Sequence, residues 1–234
     1  MLDVTNLSAG YGDIIAVRDF SFSVLQGKIL ALLGANGAGK TSTLFSLVGL
    51  VERKMGTILL DGLDISSASV EDRISRGMAI VPEGRRTFPD LSVRENLIVG
   101  GHVVSQSVMA EGIAKVFDYF PRLHERCDQA AGSLSGGEQQ MLAIGRALIS
   151  KPKLLIVDEL SLGLMPKVVD ECYKVLEVLK AEGLAIILVE QNTERAMAVA
   201  DDVCVLEAGN MIWSGSAEAA RCEPGLTERL MGLH

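Results

Sequence analysis

The segment Gly34-Ala35-Asn36-Gly37-Ala38-Gly39-Lys40-Thr41 matches G-x-x-x-x-G-K-[ST] in full. Its flanks decide how it is read. Lys28–Leu33 is an apolar strand running into the glycines, and Thr41–Val51 reads as a helix leaving them, with Leu44, Leu47 and Val48 on one face. In such a strand–loop–helix the glycines let the backbone wrap around phosphate oxygens. Successive N–H groups then point inward at a helix N-terminus. Lys40 reaches the β- and γ-phosphates of a nucleotide as a point charge, and the Thr41 hydroxyl goes to Mg²⁺. Gly34, Asn36, Gly37, Gly39, Lys40, Thr41 and Ser42 are therefore the expected nucleotide-binding residues. A full match over the eight-residue pattern with the right flanks sets the segment apart from an ordinary glycine-rich turn.

A second motif lies downstream. Leu154-Leu155-Ile156-Val157 is a buried-strand pattern that ends in Asp158-Glu159. The carboxyl end of a strand in an open parallel sheet is its ligand edge. Asp158 is expected at Mg²⁺, directly or through water, and Glu159 is expected to polarise the attacking water as general base. Taken alone, two acids at a strand end would as often face solvent; the phosphate loop upstream favours chemistry.

Between and around these motifs the chain alternates strand and helix patterns. Phe20, Phe22 and Val24 alternate with Asp19, Ser21 and Ser23 at period two. Thr57–Leu60 and Met78–Val81 read as short strands, and Leu184–Val189 as a buried one. Val203–Leu206 and Met211–Trp213 flank Gly209-Asn210 as a hairpin. A helix over about Lys167–Glu182 is closed by Gly183. From about 85 to 150 the pattern turns helical, with capping boxes at Ser92-x-x-Glu95 and Ser135-x-x-Glu138. The expectation is an α/β fold with a mainly parallel sheet covered by helices. One domain spans 1–234, with 1–84 and 151–234 as its frame and 85–150 as a helical insert.

Composition narrows the function classes. Among 234 residues, 22 Lys and Arg stand against 30 Asp and Glu, a net charge of −8. That argues against sequence-blind nucleic-acid binding, which uses a basic face. Mean hydropathy is high at +0.30, yet the longest apolar runs are far shorter than the roughly 20 residues of a membrane helix. The start of the chain lacks a basic-then-apolar signal pattern. Cys127, Cys172, Cys204 and Cys222 are too scattered for a disulfide frame or a zinc site and fit buried thiols in a reducing cytosol. Few aromatics and much Val, Ile and Leu leave two explanations of the hydropathy: many buried strands, or surfaces awaiting partners.

Leu134-Ser135-Gly136-Gly137-Glu138-Gln139-Gln140 separates this chain from other phosphate-loop proteins. Ser135 and Glu138 make a sound capping box. The same helix start, with two glycines and a serine, is a second anion site without its own lysine. The chain here resembles the ATP-binding cassette (ABC) family over nearly its whole length, with LSGGEQQ resembling the family signature. The resemblance implies a phosphate-loop NTPase with a RecA-like core, an N-terminal antiparallel β subdomain and an inserted helical subdomain. It implies ATP and Mg²⁺ as ligands, and two cassettes paired head to tail around ATP. Ser135, Gly136, Gly137 and Glu138 would then face the partner's ATP. Tyr11 resembles the aromatic that stacks on adenine, the alternative being a tyrosine at the edge of the core. Arg146 and Lys151, beyond the motif, read as helix-surface charges.

Val81-Pro82-Glu83-Gly84-Arg85-Arg86, Ser161-Leu162-Gly163-Leu164 and Val189-Glu190-Gln191-Asn192 resemble one subfamily, the importer cassettes for branched-chain or hydrophobic amino acids. The resemblance gives Glu83 a place near metal and water, where most cassettes carry Gln. It gives Gln191 a place at the γ-phosphate, where most carry His. Gln191 donates an amide hydrogen bond but does not titrate. Leu160 stands where Pro is usual and Met165 where Asp is common; Leu160 frees a backbone that Pro would restrict. The implied protein hydrolyses ATP for a membrane importer, on the cytoplasmic face of the cell membrane. Its partners would be permease subunits, a second cassette, the same or different, and indirectly a solute-binding protein. Cargo stays open between hydrophobic amino acids and urea or short amides. A soluble non-transport cassette is the rival class. Phe88, Pro89 and Leu91 would either line a groove for a permease helix or pack inside the insert.

Overall fold

Three runs of five apolar or nearly apolar residues, each wholly buried, form the middle of the main sheet in the computed structural model. The structure describes residues 1–223 and 225–226; His234, which the sequence leaves without a metal-ligand spacing, lies outside them. In chain order the strands are β1 (Leu2–Tyr11), β2 (Ile14–Val24), β3 (Ile29–Leu33), β4 (Glu52–Leu60), β5 (Leu63–Asp64), β6 (Met78–Val81), β7 (Leu154–Asp158), β8 (Ala185–Val189), β9 (Asp202–Glu207) and β10 (Asn210–Ser216). The helices are α1 (Lys40–Val48), α2 (Val70–Ser75), α3 (Val93–Gly100), α4 (Gln106–Tyr119), α5 (Pro121–Glu125), α6 (Gly136–Leu148), α7 (Pro166–Ala181), α8 (Thr193–Val199) and α9 (Ala217–Cys222).

The main sheet has the order β10-β9-β3-β8-β7-β6. From β9 to β6 every pairing is parallel, and β10 adds an antiparallel edge. Strands buried on both faces need no alternation, which is why they read as continuous Val/Ile/Leu runs. A second sheet, β2-β1-β4-β5, is antiparallel. Helices α3 to α6 lie between β6 and β7 in sequence and carry no strand of either sheet.

The main sheet divides the core. Leu30 and Leu32 of β3 point to one face, packed with Leu44, Leu47 and Val48 of α1 and with β1 and β4. Ile29, Ala31 and Leu33 point to the other, packed with α6, α7 and α3. This alternation along one strand sets the phosphate-loop helix and the signature helix on opposite faces.

Boundaries differ from the sequence reading for local reasons. Helix α1 stops at Val48 rather than Val51, because Gly49 adopts φ 86 and caps it through Phe45 and Ser46 carbonyls. β4 begins at Glu52, not Thr57, because its polar half pairs with β1 from Gly10 back to Ser8. Helix α2 was not legible in the pattern. Ser69 caps it through Asp72 N, and buried Arg73 donates to Ser46 O at 2.8 Å and Leu47 O at 2.6 Å, which ties α2 to the end of α1. Among the described residues no helix is long and apolar enough to cross a membrane.

Candidate active site

β3 delivers the chain into the phosphate loop, and Gly39 turns it into α1. Gly39 holds φ 102, and a Cβ there would come within 2.8 Å of Ala16 O, so only glycine fits without strain. The Lys40 side chain is buried and folds back over the loop. Its Nζ donates to Gly34 O at 2.8 Å and Ala35 O at 3.0 Å. Burial pushes its pKa down, while the Glu159 and Asp158 charges pull it back up. Those charges place the loop and the end of β7 in one electrostatic neighbourhood. Thr41 and Ser42 sit half-buried at the helix start, and Asn36 and Gly37 are exposed at the loop tip.

Asp158 ends β7 almost completely buried, and neither carboxylate oxygen has a hydrogen-bond partner. Burial pushes its pKa up to about 6, against the pull of the nearby Thr41 hydroxyl; the Glu159 and Glu83 charges raise it further and Lys40 lowers it. A buried carboxylate with two free oxygens is costly in itself and is a hard-oxygen donor set suited to Mg²⁺. Glu83 is exposed at the mouth of this group.

Glu159 follows at φ 51, a left-handed conformation rare for a non-glycine residue. Leu160, fully buried, leaves that backbone free of proline's restriction. The turn aims Glu159 across to the end of β8. There Gln191 Nε2 donates to Glu159 Oε1 at 2.8 Å, and Glu159 N donates to Val189 O at 2.9 Å. Two residues 32 positions apart thus meet because β7 and β8 are neighbours. Sequence reasoning named both but did not foresee their contact.

The signature helix α6 starts with both capping bonds formed. Ser135 Oγ accepts from Glu138 N at 3.3 Å, and Glu138 Oε2 accepts from Ser135 N at 2.9 Å. Glu138 Oε1 also pairs with Arg126 at 3.1 Å, so Glu138 fixes the turn. The two glycines answer to close approaches. A Cβ on Gly137 would lie 2.4 Å from Val168 Cγ1 of α7, and one on Gly136 would lie 3.0 Å from the Arg85 guanidinium.

Three surface residues complete the picture. Tyr11, the last residue of β1, is 54% exposed. Phe88 and Pro89 are exposed and Leu91 is half-buried, so the first two lie on the surface of the insert rather than inside it; buried Asn96 holds their loop through Phe88 N at 2.9 Å and Phe88 O at 3.0 Å. Arg146 is not a plain surface charge. It is half-buried over the Phe88 ring, 5.2 Å from the centroid, with Nη1 buried and unpartnered. Burial lowers its pKa. Lys151, by contrast, is exposed and pairs with Glu111.

The chain matches known proteins over its full length. The profile of the ABC transporter family covers residues 17–161. The high-affinity branched-chain amino acid transport ATP-binding protein BraG of Pseudomonas aeruginosa is 42% identical over 232 residues, 99% of this chain and 100% of that protein. The lipopolysaccharide export system ATP-binding protein LptB of Haemophilus influenzae is 33% identical over 93% of this chain and 91% of its own length. A solved ATP-binding subunit of an ABC transporter superposes with a TM-score of 0.82 at 28% identity, covering 100% of this chain and 94% of that one. The chain thus belongs to the ABC transporter family and is an ATPase cassette of it.

Proposed function

We propose that this chain hydrolyses ATP for an importer of branched-chain or other hydrophobic amino acids, at the cytoplasmic face of the cell membrane. The observation that carries the chemical part is the pair of contacts at the sheet edge: an unpartnered Asp158 beside Lys40, and Glu159 held by Gln191. The full-length match to a branched-chain amino acid cassette supports the cargo. The shorter and weaker match to an export cassette supports only the shared motor.

Thr41 and Asp158 would hold Mg²⁺, with Glu83 at the mouth, and the ion would neutralise β- and γ-phosphate charge. Lys40 exchanges its Gly34 and Ala35 carbonyls for phosphate oxygens. Gln191 occupies Glu159 Oε1, which leaves Oε2 to accept the proton of the attacking water as the bond from γ-phosphorus to ADP breaks. Gln191 cannot titrate, so it positions the base. Tyr11, exposed beside exposed Ile14, is free to stack on adenine. Ser135 Oγ accepts one bond and keeps its hydroxyl proton for a phosphate.

The signature serves a second cassette in this reading, because α1 and α6 flank opposite faces of the sheet. Exposed Leu162 and Met165 supply apolar surface for that pairing, and exposed Phe88, backed by the Arg146 guanidinium, supplies a surface for a permease helix. Closure on ATP and reopening after hydrolysis move the cargo by population shift. Deleting the chain should abolish leucine, isoleucine and valine uptake by whole cells. Wild type should restore it and Lys40→Ala should not. Intact leucine uptake with lost urea or amide uptake would replace the cargo assignment.

A further inference from the structure

The group that the mechanism leaves unused is Glu190. It is 1% exposed, the last residue before Gln191, and it sits at the end of β8. Its Oε1 accepts from Ser161 N at 2.9 Å and its Oε2 accepts from Ser161 Oγ at 2.7 Å. The buried Tyr173 hydroxyl of α7 faces the same carboxylate. Burying a carboxylate among neutral donors is expensive. Holding one residue by both its backbone and its side chain fixes that residue's position and rotation together.

Ser161 opens the loop 161–165 between β7 and α7. The loop's tip is apolar and open: Leu162 is 50% and Met165 70% exposed. Three connections, four hydrogen bonds in all, therefore stitch the end of β7 to the end of β8: Glu159 N to Val189 O, Gln191 to Glu159, and the Ser161 N and Oγ pair to Glu190. The first two hold the base. The third joins the same strand end to a loop whose exposed tip is suited to a neighbouring chain.

We infer that Glu190 is a positioning residue for ATP hydrolysis, which locks the loop 161–165 to the backbone beside Gln191 and so makes the aim of Glu159 depend on how that loop is seated. The inference rests on the assignment of Glu159 as base and of a second cassette as the loop's partner. Glu190 touches no reacting atom; it acts through Ser161 and Gln191. Neither Lys40 nor the phosphate loop is among its contacts, so nucleotide affinity should be spared.

The test is steady-state hydrolysis by the assembled transporter. Glu190→Ala should lower kcat by about 10- to 100-fold, the loss typical of a misaimed catalytic group, with KM for ATP unchanged within about twofold. Ser161→Ala should lower kcat less, and Ser161→Thr, which keeps the hydroxyl, should recover it. Combined with Gln191→Ala, the Glu190→Ala loss should shrink, because both act through one group. A loss that multiplies fully with that of Gln191→Ala, or one seen in KM alone, would overturn the inference. If Glu190→Ala does not fold, Glu190→Gln and the Ser161 pair carry the test, and Ser161→Ala activity equal to wild type overturns it. Glu159→Gln run alongside separates the failures: normal turnover there removes the base itself, whereas its inactivity with additive Glu190 effects removes only the positioning role.

Discussion

Replacing Asp158 with asparagine should stabilise the protein without nucleotide and weaken it, relative to wild type, with Mg²⁺-ATP. Asp158 is buried with both oxygens unpartnered, and its pKa is pushed from 3.8 up to about 6. The shift of about two units corresponds to roughly 3 kcal/mol. Because the folded value lies above the unfolded one, the native state binds the extra proton. Stability from this group is present below about pH 4 and is lost as pH rises through about 6. Asparagine carries no charge to bury but still leaves polar atoms unpaired, so the gain near neutral pH should be about 1–3 kcal/mol. In a chain of this size that raises Tm by about 3–10 °C.

The ligand reverses the sign. Wild type at one hundred times its Kd for Mg²⁺-ATP gains about 2.7 kcal/mol, and the variant, without the carboxylate, gains far less. Thermal melts at about pH 4.5 and 7.5, each with and without Mg²⁺-ATP, read all four quantities. A variant no more stable than wild type at the higher pH, or equally stabilised at both, would refute the argument that charge burial is the cause. Such a trade of stability for ligand affinity is expected where a site is built before its ligand arrives.

Three further substitutions probe separate parts of the site. Glu159→Gln should keep ATP and accumulate a closed dimer by size-exclusion chromatography; undiminished steady-state hydrolysis would remove the base assignment. Gly137→Ala places a Cβ 2.4 Å from Val168 Cγ1 and should displace the start of α6, so that ATP-driven pairing of the Glu159→Gln background is lost while the single chain's ATP affinity holds. Pairing at wild-type strength would contradict the steric reading. Tyr11→Ala should weaken ATP binding by about 1–3 kcal/mol, the usual worth of one base–aromatic stack, as read by calorimetry; an unchanged affinity would take that role from Tyr11.

What the sequence reveals follows from the range of the interactions. β3, β7 and β8 declare themselves because a strand covered on both faces is apolar throughout. The capping boxes at Ser92 and Ser135 declare themselves because both partners lie within three residues. The polar half of β4 does not, since its pairing with β1 is a contact across some 45 positions. Helices α2, α8 and α9 are only six or seven residues long, too short for a 3.6-residue period to show. The same division runs through the site. Lys40, Asp158 and Ser135 are legible as local motifs. The contacts of Gln191 with Glu159, Glu190 with Ser161, and Arg146 with Phe88 are not, because they exist only once the strand order and the insert's packing are set.

The high hydropathy of an acidic chain divides along the same lines. One share lies in the fully buried strands, where it builds the sheet whose carboxyl edge carries Lys40, Asp158 and Glu159. Another share is exposed at Phe88, Ile98, Val99 and Val103 around α3, and at Leu162 and Met165 beside α7. Isolated exposed apolar residues mean little, but these lie next to functional groups: Phe88 under Arg146, and Leu162 one residue from the Ser161–Glu190 clamp. The sheet separates the phosphate-loop helix from the signature helix, and in the proposed function these are two half-sites. The exposed apolar residues beside Glu159 are then where a second chain would bring the missing half, and those around Phe88 are where a membrane partner would feel it arrive.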